Sequence, residues 1–76
     1  MAGYMLLNSG RVDETIALFK MNLELFPKSW NVYDSLAEAY AVKGEKELAI
    51  QNYERSLELN PDNQNAKDRL KHLKKK

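Results

Sequence analysis

Cysteine is absent from this chain, and histidine occurs once, as His72. No disulfide and no thiolate metal site can form, and a single histidine cannot build a histidine metal site alone. The three glycines are isolated, so there is no glycine-rich loop to cradle a phosphate. The serines at 9, 29, 35 and 56 lack the G-x-S-x-G setting of a hydrolase nucleophile. No apolar run approaches the ~20 residues of a membrane helix. Met1 to Leu7 is apolar but short, with no basic segment before it, so no signal peptide is expected. Location stays unassigned on these grounds, with the cytoplasm as the default expectation. Period-two alternation is missing throughout, which leaves no candidate strand.

Charge is balanced overall at +1 but unevenly placed. Residues 66–76 hold six basic side chains against Asp68 alone, while the rest of the chain holds six basic against ten acidic. A basic end can mark nucleic acid or an anionic membrane. Here no aromatic residue interleaves the lysines, as single-strand binding requires. Cations at a helix C-terminus also complement the helix dipole and solubilise the end of a helical stack. Neither nucleic acid nor membrane is expected as a partner.

What the chain does contain is a repeat with a period of 34 residues. Gly10 returns as Gly44, Ile16 as Ile50, Phe19 as Tyr53, Leu23 as Leu57, Leu25 as Leu59 and Pro27 as Pro61. Between these marks the apolar residues recur at helical spacing. Val12, Ile16, Phe19 and Leu23 give one stripe on a helix from Arg11 to Phe26, ended by Pro27. Asn8-Ser9-Gly10 predicts a helix stop before it, with Gly10 in the left-handed conformation. Ser29 is the expected cap of a helix from Trp30 to Val42 whose stripe is Tyr33, Leu36, Ala37 and Tyr40. Lys43-Gly44 closes that helix. The next runs from Lys46 to Leu59 with Ala49, Ile50, Tyr53 and Leu57 inward, and Pro61 stops it. Asp62 is the expected cap of a last helix from about Asn63 to Lys74, with Ala66, Leu70 and Leu73 inward. Phe26 and Trp30 are expected to form a staple across the turn between them.

The stretch Tyr33-Asp34-Ser35-Leu36-Ala37-Glu38-Ala39-Tyr40 resembles the W-x-x-L-G-x-x-Y pattern of the tetratricopeptide repeat, with Gly44, Ala49, Tyr53 and Pro61 at that family's later places. Small Ala37 and Ala49 suit a close crossing of two helices. The resemblance implies an all-α fold: antiparallel helix-turn-helix repeats stacked as a short right-handed α-solenoid of five helices. A single domain over 1–76 would then comprise an incomplete first repeat at 1–27, a complete one at 28–61 and a capping helix at 62–76. In the first repeat the tryptophan place would precede Met1, and Thr15 and Asn22 replace alanines. In the cap, Lys71 and Lys74 replace the glycine and tyrosine.

The same resemblance implies a non-catalytic module, without cofactor or metal, that holds a peptide or helix of a partner protein in its concave groove. The groove positions are Tyr4, Asn8, Asn31, Asp34, Ser35, Glu38, Asp68 and His72. Asp34 with Glu38, and Asp68 with His72, are four apart and share helix faces. With no nucleophile or third strong ligand nearby, they read as a polar groove and not as an acid–base pair. Two acids on the complete repeat would repel an acidic chaperone tail, so a neutral or basic ligand is expected. The alternative is a structural tail docking on an upstream catalytic domain of a larger protein, since similar repeat pairs resemble the tails that follow catalytic domains in some bacterial serine hydrolases. The short first helix and its missing aromatic leave apolar surface at the N-terminal end, where a homodimer is expected to form.

Overall fold

Proline and glycine set most of the helix ends. In the computed structural model, which describes residues 2–75 and their side chains from Gly10 onward, the elements are α1 (Ala2–Leu25), α2 (Trp30–Lys43), α3 (Lys46–Leu59) and α4 (Gln64–Lys74). Gly44 ends α2 at φ +94°, in the left-handed region that a side chain would oppose. Its N–H reaches the Ala41 carbonyl, and the N–H of Glu45 reaches back to Tyr40 at 2.8 Å, so the last carbonyls of α2 are satisfied within the turn. Leu25 and Leu59 end α1 and α3 two residues ahead of Pro27 and Pro61.

Four helices and no strand are present among the described residues, one helix fewer than the sequence predicts. The difference is at Gly10, which lies inside α1 and does not take a left-handed turn. An interior glycine costs a helix only about 1 kcal/mol relative to alanine. Breaking the ladder there would forfeit several intrahelical hydrogen bonds. The expected separate helix at 11–26 is therefore the second half of α1.

Two further expectations, both at helix caps, are corrected. Asn63, not Asp62, caps α4: its side-chain oxygen accepts from the Ala66 N–H at 3.2 Å. Ser29 does sit at the cap position of α2, but its hydroxyl donates to Asn31 Oδ1 at 2.7 Å and makes no capping bond.

Consecutive helices pack on one another, and the Cα trace measures 38 × 35 × 16 Å. One core joins α1 to α2 and α3 through Ile16, Leu36, Ala39, Tyr40 and Ala49, with Val12, Phe19 and Leu23 against it. A second joins α2, α3 and α4 through Ala37, Tyr53, Ala66 and Leu70. Ala37 and Ala49 are wholly buried, as crossing points require. A surface pair between Lys43 Nζ and Asp13 at 2.8 Å also links α2 to α1, and the hydrogen bond to Asp13 raises the lysine's pKa. Phe26 and Trp30, expected to staple their turn, both keep substantial exposed surface.

Candidate partner-binding groove

Helix α2 carries Asp34 and Glu38 on one face by their four-residue spacing. Helix α4 runs beside that face, and Tyr53 of α3 lies beneath both. Glu38, Tyr53, Arg69 and His72 line a hollow of about 240 Å³ together with the apolar Ala41, Val42 and Leu73. One wall thus offers a carboxylate and the other a guanidinium and an imidazole, beside apolar side chains. A neighbouring hollow of about 320 Å³ is lined by Asp68, His72, Lys71 and Lys75.

The structure sorts the candidate residues. Glu38 and His72 share the first hollow, and Asp68 and His72 the second. Asp68 also accepts from Gln64 Nε2 at 3.0 Å within α4. Asn31 is exposed at the start of α2, engaged with Ser29, and Ser35 is half-buried. Tyr4 and Asn8 lie in the backbone of α1, but their side chains fall outside the described residues.

Asp34 is taken up by the fold. Its Oδ2 accepts from Asn63 Nδ2 at 2.7 Å, and its two oxygens accept from Asn65 Nδ2 at 2.9 and 3.2 Å. Asn63 Nδ2 also donates to Ser56 Oγ at 2.9 Å, and Ser56 in turn donates to the carbonyl of Trp30 at 2.8 Å. Ser56 and Asn63 are both buried, and every buried side-chain polar atom among the described residues has a partner. This network bolts α4 to α2 and α3. Its members Ser56, Asn63 and Asn65, and Arg69 in the hollow, were not legible as a group. The available signal was Ser56 at the second repeat's small-residue place, with Asn63 just beyond a Pro-Asp turn.

Tyr53 is almost fully buried, and burial pushes its hydroxyl up to about 12, with Asp34 and then Glu38 adding to the shift. The folded state therefore keeps its proton where the unfolded chain, near 10, has lost it. The stabilisation is fully present below about pH 10 and is lost as pH rises from there through 12, on the order of 2 kcal/mol in all. Urea midpoints between pH 9 and 12 should fall for the native chain and flatten in Tyr53→Phe. An equal slope in both would place the titration elsewhere.

No described helix is long and apolar enough to cross a membrane. The described residues hold no group of three or more metal-ligating side chains.

The model of the tetratricopeptide repeat matches residues 35–63, a span holding most of α2, all of α3 and the cap of α4. Superkiller complex protein 3 of Homo sapiens is 32% identical over 60 residues, a match covering 79% of this chain and 4% of that protein. The chain spans only that small part of the relative, and the family match places a tetratricopeptide repeat over residues 35–63. That repeat is by family a protein-interaction element and generally non-catalytic.

Proposed function

We propose that this tetratricopeptide-repeat chain holds an extended peptide segment of a partner protein in the hollow between α2 and α4, without catalysing a reaction. The observation that carries the reading is the pairing of Glu38 on one wall with Arg69 and His72 on the other, over Tyr53 and beside Ala41, Val42 and Leu73. A basic side chain of the ligand would meet Glu38, its backbone carbonyls would meet Arg69, and a neighbouring apolar side chain would meet the apolar residues. An acidic chaperone tail would face Glu38, while the lysine of α2, Lys43, is engaged with Asp13. Asp34 adds negative potential to the same face, although its oxygens are occupied.

The repeats are read as one domain over 1–76, divided at 27 and 61, with the right-handed stacking typical of the family. Self-association through the N-terminal end belongs to the same reading. A second reading, a tail docking on an adjoining domain of a longer protein, is supported by the apolar edge at Leu25 and Phe26, both more than three-fifths exposed.

Three peptides of equal length test the groove: one with alternating lysine and leucine, one neutral and one glutamate-rich. Nuclear magnetic resonance titration should show the lysine–leucine peptide binding most tightly, with shifts centred on Glu38, Arg69 and Leu73. Glu38→Lys should weaken it about three- to fivefold, the usual worth of one exposed charge pair. Tightest binding of the glutamate-rich peptide, or shifts away from α2 and α4, would refute the groove.

A further inference from the structure

The 34-residue period lets one half of the chain act as a template for the other. On α3, Ala49, Tyr53 and Ser56 are 0%, 1% and 0% exposed. Thirty-four positions earlier on α1 stand Thr15, Phe19 and Asn22, of which the first two are only half-buried and the third is exposed. Leu18, on the same side of α1, is 65% exposed. In the second half the cover comes from across the Gly44 turn: Tyr40 shares a core with Ala49, and Ala37 shares one with Tyr53. Moved back by the period, the covering positions are Leu6 and Gly3.

Both positions belong to α1 itself, which runs unbroken from Ala2 to Leu25. At 1.5 Å per residue, Leu6 stands about 14 Å along the axis from Thr15, and Gly3 about 24 Å from Phe19. A chain in this conformation cannot cover its own Thr15–Asn22 face.

We propose that the face is covered by residues 2–9 of a second copy, the two chains exchanging these segments about a two-fold axis. The proposal deepens the self-association reading above and rests on it. Leu6 with Thr15, and Gly3 with Phe19, are pairs centred on Gly10 and Arg11, so two antiparallel α1 helices cross there. The crossing is open at Gly10: a Cβ added there would meet nothing within 4 Å, so an alanine-sized side chain is accommodated. Charge agrees with the antiparallel arrangement. It brings Arg11 of each copy to Glu14 of the other, one turn beyond the axis, while Asp13 stays with Lys43 of its own chain. The exchanged segment, Ala-Gly-Tyr-Met-Leu-Leu at 2–7, carries no charged residue and is apolar enough to be buried. The arrangement is isologous and closes with two copies.

Because the chain has no cysteine, a designed pair reports on the exchange directly. Leu6→Cys with Thr15→Cys, oxidised in dilute solution, should give a covalent dimer, from a native chain of twice the monomer mass by light scattering. A dimeric mass with the disulfide closed within single chains would overturn the exchange and leave self-association standing, the first helix then folding back on its own chain. A monomeric mass up to several hundred micromolar would overturn both. Gly10→Ala offers a variant that leaves the core untouched. Alanine favours the continuous helix and opposes a left-handed turn, so it should tighten the dimer roughly fivefold per copy. Loosening by the same substitution would show that Gly10 serves as a turn and would refute the exchange.

Discussion

Asn63→Ala should lower the stability of the chain by about 2–3 kcal/mol, roughly half of what a core of this size supplies. Three bonds are lost together. The cap to the Ala66 N–H goes, worth about 1 kcal/mol. The donors to Asp34 and Ser56 go as well, leaving a buried serine oxygen short of a partner, at ~1–3 kcal/mol. Asn65, exposed at its own site, still bonds Asp34, so some of the carboxylate's requirement is met. Urea denaturation of Asn63→Ala beside Asn65→Ala separates the contributions. The second should fall within about 0.5 kcal/mol of the parent, as an exposed pair does. Equal losses from the two would mean that the buried link between α2, α3 and α4 is not what holds α4.

A loss of ~1–3 kcal/mol is expected from Ala49→Leu as well. Ala49 is wholly buried in the core that includes Tyr40, Leu36 and Ile16, so three added carbons have nowhere to go without moving α2 or α1. Ala49→Gly makes the control: it removes bulk, so its cost should be that of an interior helical glycine, about 1 kcal/mol. A melting temperature unchanged by leucine would show slack at this crossing that the burial denies.

The contrast between Gly44 and Gly10 shows what a sequence of this kind discloses. Both follow a helical stripe and precede an amphipathic one, and both read as stops. Gly44 becomes one because α2 and α3 each bring an aromatic and an alanine to the crossing, so the reversal is stabilised by Tyr40 with Ala49 and by Ala37 with Tyr53. Gly10 has no such support, and nothing local distinguishes the two. Helix ends at Pro27 and Pro61 were legible because proline acts through its own ring and its neighbour. The inward stripes of α2, α3 and α4 were legible because burial follows the helical period. The polar network was not. Asp34 meets Asn63 and Asn65 at separations of 29 and 31 residues, and a carboxylate on a helix face looks the same whether it awaits a ligand or is held by asparagines. Glu38, with the same charge four residues on, lines the open hollow.

That network has a consequence for recognition. The spacing of α2 and α4 sets the width of the hollow, and that spacing is held by side-chain bonds from Asp34 to two asparagines at the start of α4. Widening the mouth to admit a bulkier ligand would break charge-assisted bonds made within the fold itself. In the binding mode proposed above, this would preorganise the groove on the side where α4 begins. A ligand would select by fit and would not have to mould the site, and little ordering entropy would be left for association to overcome. Further along α4, towards Arg69 and His72, the bracing gives way to apolar contact through Leu70 and Leu73, so adaptability, and with it tolerance for different side chains, should increase from one end of the groove to the other.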